Sequence, residues 1–571
     1  MKILRRRLML GGGALLAAPL VYTGARYLSG SSEAAPDALA GRFTNPLRLP
    51  GQDGLFLLMR ANTVSRLTAL PVQLPLRGKH PTSLWAYQAE VAGRLTLNPI
   101  LLARPGDRVS LAFENRIPQP SVIHWHGFTN DSRNDGGGMM QVDPGGTYDY
   151  DWTVHNSAAL NWYHPHPHLK AGEQTWRGMS GLFIVEDDES EKLARELGVQ
   201  FGITDVPLVI QDRTIERSGE MAYSDNPKRQ FHGMSGNSVM VNLTRFPVLD
   251  LPRRWVRLRI LNASNARSYR LALMQKDKRL AFMLLGTDSH LRSSPTEIQE
   301  IFLAAAQRID IAVDLRQADV GDVWLRTLSF DPMHNEMGAM GAMAEMDNMG
   351  GGHVHGAQGE GADSLILRIN VKPYDGAPGS ISSRITEKKV LTYDNRVKRD
   401  FVLDHDGDGT WRINGKSFYP SEVMLKRRSL GDICQTPGSV SLDSASVSLD
   451  TSQMPNSRSF AVPNGAHETW VIRNDTASMP HPMHLHGFSF SVIERNGSPP
   501  QLKSLAIDPQ GRTAQDLGRM DTVLVWPGEA VTIAVDFSHP FSGEQSYMFH
   551  CHNLEHEDLG MMLAFSIAGK G

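Results

Sequence analysis

His550-Cys551-His552-Asn553-Leu554-Glu555-His556, continuing to Met561, is the stretch on which the reading of this chain turns. Taken as a β-strand leading into a loop, it has a built-in geometry, because successive strand side chains point to opposite faces. His550 and His552 aim one way and Cys551 aims the other. His556 and Met561 follow on the loop and can fold back beside the Cys551 sulfur. A thiolate, two imidazoles and a weak axial thioether form a trigonal set suited to copper. A closed zinc site has no use for Met. His550 and His552 must then serve a second metal site on the opposite face, joined to Cys551 by a few covalent bonds. That is the layout of an electron path.

The second imidazole of the Cys551 set lies upstream. After the strand-like run Trp470–Asn474 comes His481-Pro482-Met483-His484-Leu485-His486-Gly487. His484 and His486 share a face, and strand parity puts His481 on the opposite one, toward Cys551. The same i, i+2 spacing occurs in Ile123-His124-Trp125-His126-Gly127 and in Tyr163-His164-Pro165-His166-Pro167-His168. In the latter, three histidines share one nominal face, and periodicity does not choose which two bind. Its prolines remove ladder donors and predict an edge or irregular strand. A lone pair of this kind is commonly coincidence or a core histidine. Four pairs outside the Met-rich stretch, at 124/126, 164/166, 484/486 and 550/552, are not. H-x-H-Gly near both ends of the chain also hints at duplication of one β-domain.

The 571 residues fit about three domains. A net charge of −3 with 21% charged residues excludes a basic field for nucleic acid or an anionic membrane. Abundant Gly and Pro fit a turn-rich, all-β chain. Leu101–Asn115 alternates apolar and polar residues after a Pro-Gly turn, as a half-buried strand should. The expected divisions are an export signal and linker over 1–40, then domains over 41–195, 196–375 and 376–571. Arg5-Arg6-Arg7 precede an apolar, small-residue run, and Arg6-Arg7-Leu8-Met9-Leu10 resembles a twin-arginine signal. Ala38-Leu39-Ala40 offers a cleavage site, the alternative being a retained anchor. No later segment approaches the roughly 18 apolar residues of a membrane span. With Cys551 on a metal, Cys434 has no disulfide partner and is expected as a small buried side chain.

The middle division shows strand-like runs at Val206–Gln211, Trp255–Leu261, Ile309–Asp314 and Val323–Thr327. It has no H-x-H pair before its Met-rich insert and looks structural. Asn242-Leu243-Thr244 and Asn262-Ala263-Ser264 fit a glycosylation pattern. In the insert, over 333–355, Met333, Met337, Met340, Met343, Met346 and Met349 recur every three or four residues. They could stripe one helical face, although Gly338 and Gly341 weaken it. Soft thioethers select Cu(I). Further on, Asp404–Gly409 is read as a hairpin turn before Trp411, because position twelve of a calcium loop would be Gly415.

With HWHG, HPHPH, HPMHLHG and HCHNLEHEDLGMM in place, the chain resembles the multicopper oxidases from Arg42 to Ile567. The resemblance implies three cupredoxin-like Greek-key β-sandwich or barrel domains. It implies four coppers per chain, one type 1, one type 2 and two type 3. By motif, His481, Cys551, His556 and axial Met561 match the type 1 ligands, and His124 and His484 the type 2 ligands. His126, His164, His166, His486, His550 and His552 match the type 3 pair, with His168 left outside. By position, Asp135 and Glu557 resemble the relay acids that feed protons to dioxygen. Their plain reading is a solvated loop charge.

The insert and the C-terminal motif resemble bacterial periplasmic copper-efflux oxidases, which oxidise Cu(I) to Cu(II). There, Met and Asp residues near the type 1 site bind the substrate copper. Met479, Met343 and Asp347 are the candidates here, while the Asp expected four residues before His481 is Ala477. The leading expectation is an exported, monomeric cuprous oxidase with laccase activity on small phenolic donors. It should not stay inserted in a membrane once its signal is cleaved. A laccase with organic donors is the alternative. A copper-free structural relative is disfavoured, because every ligand is present.

Overall fold

The structure is a computed structural model that describes residues 36–77, 80–137, 140–224, 226–335, 359–387, 398–406, 410–419 and 459–569. The Met-rich run from 336 to 358, with Met343 and Asp347, lies outside the described residues. So do residues 1–35 and Cys434.

Among the described residues the chain is almost wholly β, in six sheets that follow one another in pairs. Local sequence explains the strands. Arg108–Asn115 buries every second residue, so one face meets a core and the other looks outward. Gly181–Val185, an unbroken apolar run, is buried on both faces. Pro105-Gly106 divides the expected run Leu101–Asn115 into the strands Ile100–Ala103 and Arg108–Asn115.

In the first pair, Leu67, Val109 and Phe113 of one sheet meet Trp125, Tyr163 and Phe183 of the other. In the last pair, Trp470, Ile472 and Val535 meet Met483, Phe549 and Phe565. Each such buried side chain contributes about 1.5–3 kcal/mol. Arg66–Arg77 pairs in parallel with Arg108–Asn115, and Lys398–His405 with His467–Asn474. A tight hairpin cannot join parallel neighbours. The chain therefore crosses between the sheets of a pair, as in a Greek key. The result is all-β, with the cupredoxin-like layout expected from the sequence.

The histidine-bearing strands are neighbours in both outer pairs. His164 lies opposite His124, and His550 lies opposite His484. One expectation is corrected here. Strand Ala159–Pro165 is an interior strand, bonded to Gly181–Val185 on one side and Ile123–His126 on the other. Pro165 is tolerated because it is the strand's last residue. The two glycosylation patterns are also closed off. Asn242 and Asn262 are buried, and each side-chain amide donates to two backbone carbonyls.

Candidate metal centre

Strand parity works at Gln545–Cys551 as read, but the expected loop beyond it contains a short helix, Leu554–Asp558. Cys551 Sγ lies 3.5 Å from His481 Nδ1 and 3.6 Å from His556 Nδ1, and those two nitrogens are 3.3 Å apart. Met561 joins them through backbone bonds, donating to His556 O and accepting from Cys551 N. All four residues are fully buried. The outer nitrogens are held: His556 Nε2 donates to Phe231 O at 2.8 Å, and His481 Nε2 faces Ser478 Oγ at 3.2 Å. Trp411 packs against both rings. Burial pushes the Cys551 thiol well up. The site is thus two unprotonated nitrogens and a sulfur converging in a buried pocket, an arrangement a bound cation would relieve.

The eight histidines of the four H-x-H pairs meet on the other face of that strand. Burial, reinforced by neighbouring imidazoles, holds His124, His486 and His552 down to about 3, so they are neutral with lone pairs free. The lone pairs fall into three sets. His126 Nδ1 and His552 Nε2 each approach His164 Nε2 at 3.4 Å. His166 and His486 bring Nε2 to within 3.4 and 3.0 Å of His550 Nε2. His124 Nε2 and His484 Nε2 receive no hydrogen bond at all, although buried. Outer nitrogens again carry the protons: His124 Nδ1 to Asp135 O, His164 Nδ1 to Pro165 O and His550 Nδ1 to Cys551 O. Orphaned, inward-facing imidazole nitrogens in such numbers fit copper. His168 stands apart, bonded through Nδ1 to Tyr419.

Neither proposed relay acid is a solvated loop charge. Asp135 is buried, with Oδ2 accepting from His486 Nδ1 at 2.8 Å, and burial raises it to about 6. Glu557 is buried 3.4 Å from His166 Nε2 and 3.3 Å from His550 Nδ1. Burial, and then the charges of Asp558 and Glu555, push it well up. The helix that carries Glu557 faces four ways. Glu555 accepts from Met234 N, Asn265 and Tyr223 of the central pair, and Asp558 accepts from Ala171 N and Gly172 N of the first pair. Between them, His556 turns to Cys551 and Glu557 to the histidine cluster.

Gly136 sits at φ +75°, and a Cβ there would stand 1.8 Å from Ile123 O, beside His124. Gly136→Ala should therefore cost more than about 4 kcal/mol, since only a backbone shift relieves the clash. Gly145→Ala has the same sign of φ (+83°) but open space, and should cost roughly 1–2 kcal/mol. Thermal midpoints of the two variants test this; equal losses would contradict it.

Several contributors had no sequence signal. Asp521 touches His126 and His484, and Arg308 of the central pair reaches Asp521. With Phe231 bonded to His556, the central pair is more than the scaffold expected of it. Ser478 supplies a hydroxyl to His481 where the expected Asp is absent at 477. Met479 is buried in the same core as Cys551.

The multicopper oxidase family profile matches residues 74–190 and 434–570. A multicopper oxidase of Staphylococcus aureus is 28% identical over 471 residues, covering 82% of this chain and 81% of the relative. The cell division protein FtsP of Xenorhabdus nematophila is 26% identical over 530 residues, covering 92% of this chain and 94% of its own. The McoA multicopper oxidase of the hyperthermophile Aquifex aeolicus superposes with a TM-score of 0.75 at 30% identity, over 92% of this chain and all of that one.

Proposed function

Since this chain belongs to the multicopper oxidase family, we propose that it oxidises Cu(I), and phenols less readily, while reducing dioxygen to water. The observation that carries this reading is the pair of buried donor groups set back to back on one strand and joined by His550-Cys551-His552. In this reading His481, Cys551 and His556, with Met561 axial, would hold type 1 copper. His124 and His484 would hold type 2. His126, His164, His166, His486, His550 and His552 would hold the type 3 pair. Copper bound in these sets would supply one-electron acceptance at Cys551 and pooled reducing equivalents at the histidine cluster. The chain's own part is orientation and proton handling: capped outer nitrogens aim each ring, Trp411 and Phe231 exclude water, and Asp135 and Glu557 hold protons beside the cluster.

Cu(I) is favoured as donor because His481 and His556 are fully buried with both outer nitrogens bonded. A phenol would need one of those edges exposed, whereas a small thiophilic ion needs only a nearby sulfur. Met479 offers that sulfur, and Met343 and Asp347 of the insert extend the proposal. A role in copper tolerance follows, with export by the twin-arginine-like signal to the periplasm, and action as a monomer. No helix among the described residues is long and apolar enough to cross a membrane.

Oxygen uptake with Cu(I) as sole donor tests the reading directly. Met479→Leu, close in volume, should lower Cu(I) efficiency roughly tenfold, the effect of about 1.4 kcal/mol of lost binding, and leave phenol rates alone. Deleting 336–355 should lower Cu(I) efficiency and raise turnover of bulky phenols. Unchanged Cu(I) kinetics after the deletion would favour the laccase alternative.

A further inference from the structure

The two H-x-H-Gly turns face each other across the cluster as a pseudo-twofold pair. His124 stacks on His486 at 3.9 Å, and His126 stacks on His484 at 3.7 Å. Each half carries one aspartate with a double task. Asp135 accepts from His124 Nδ1, in its own half, through its carbonyl, and from His486 Nδ1, in the opposite half, through Oδ2. Asp521 repeats the pattern: its carbonyl accepts from His484 Nδ1 at 2.9 Å, and its Oδ1 from His126 Nε2 at 3.0 Å.

What surrounds the two carboxylates differs. Asp135 Oδ1 receives no hydrogen bond. Asp521 is gripped by Arg308 with both fork nitrogens, Nη1 to Oδ1 at 2.7 Å and Nη2 to Oδ2 at 2.6 Å. Ser289 Oγ and Thr522 Oγ1 add bonds of 2.8 and 3.0 Å. Such a bidentate pair fixes geometry as well as charge. With its oxygens thus committed, Asp521 is not free to bind metal itself. Gly127 makes the approach possible: at φ +91°, a Cβ there would stand 2.7 Å from Arg308 Nη2 and 3.1 Å from Asp521 Oδ2.

His126 is the odd member of the cluster, turning Nδ1 inward where the other seven histidines turn Nε2. A carboxylate only accepts, so a fixed anion at its outer edge selects that orientation and tautomer. We propose that Asp521 is a positioning residue for the histidine cluster. Arg308, reaching in from the central sheet pair, clamps it so that His126 keeps its proton on Nε2 and presents Nδ1 to the metal. The central pair offers no histidine to these sets, yet it decides whether the set of His126, His164 and His552 can bind. This rests on reading the cluster as a copper site.

Asp521→Asn is nearly isosteric. Oδ1 accepts from His126 Nε2, Arg308 Nη1 and Thr522 Oγ1, and Oδ2 from Arg308 Nη2 and Ser289 Oγ. An amide in either orientation sets its NH2 against one guanidinium nitrogen, so the fork opens and the anion that selects Nε2–H is gone. Long-range proton–nitrogen NMR on metal-free full-length protein with 15N-histidine reads this directly, with His126 assigned by its absence in His126→Gln. The expected result is Nε2–H alone in the parent and a detectable share of Nδ1–H in Asp521→Asn, with unchanged far-UV dichroism. On copper loading, the variant should hold cluster copper about 10–100-fold more weakly while the colour of the Cys551 site persists. Arg308→Lys, which keeps the charge but loses the fork, should fall between. An Nδ1–H tautomer in the parent overturns the proposal, and that measurement decides even where Asp521→Asn does not fold. So does an Asp521→Asn variant that holds cluster copper as tightly as the parent. A parent with Nε2–H at His126 that takes up no copper refutes the copper reading alone and leaves the anchoring of His126 standing.

Discussion

Cys551→Ser should yield a folded, colourless protein that oxidises no donor above background. The side chain is fully buried between His481 and His556, and oxygen for sulfur changes its volume little. Asn553 N, which donates to Sγ at 3.4 Å, can serve the hydroxyl as well. The stability cost should therefore stay within about 1–3 kcal/mol. The chemistry does not survive. A serine hydroxyl is far less acidic than a thiol and is a hard donor, so the soft, charge-transferring ligand is gone. Visible absorbance, copper per chain and oxygen uptake together read the outcome. The copper-loaded parent should be intensely blue through its Cys551 thiolate, and a variant that is equally blue would sink the assignment of Cys551. Cys434→Ser, outside the described residues, is the control and should change none of the three.

Glu557→Gln and Asp135→Asn should each slow reoxidation by dioxygen about 10²–10⁴-fold, the range of a lost general acid. Reduction of the Cys551 site by donor should run at the parental rate. Each acid has one buried oxygen that receives no hydrogen bond from the protein. Glu557 Oε2 lies near His550 Nδ1, but that nitrogen donates to Cys551 O instead. Asp135 Oδ1 is 3.8 Å from His124 Nδ1, which donates to the Asp135 carbonyl. A bare oxygen among neutral imidazoles is where a proton can wait. The amides keep the shape and give up that function. Stopped-flow traces with normal reoxidation in both variants would remove these residues from the relay.

What could be read from the sequence was whatever a strand's two-residue period encodes. Parity alone separates Cys551 from His550 and His552, and places His481 with the sulfur; the cross-strand register then brings His484 opposite His550. The rest depends on groups distant in the chain. Asp521 reaches His126, and Arg308 reaches Asp521, across sequence gaps that no local pattern spans. Ser478 looks like any loop serine until its hydroxyl is found on His481. Pro165 suggested an edge strand, but its position at the strand's last residue removes the penalty. The helix Leu554–Asp558 carries His556 of the Cys551 site and Glu557 of the histidine cluster, and its polar composition reads as loop because the partners of Glu555 and Asp558 lie far away in the chain.

That helix also sets a timetable. Each donor set assigned above takes at least one atom from residues 481–561: His481, Cys551 and His556 for one, His484 for the second, His486 and His550 for the third, His552 for the fourth, although His124, His126 and His164 of the first pair also bring ligand atoms within 4.8 Å of one another. Chains are made from the N-terminus, and domains generally fold in that order. A ribosome that has finished the first 480 residues has therefore assembled no complete set, however well the first two sheet pairs have folded. The last turn then docks onto both, through Asp558 and Glu555, as it brings His556 and Glu557 to their places. Completion of these sets is thus deferred to the end of synthesis, and a chain cut before residue 481 keeps only the three-histidine group of the first pair.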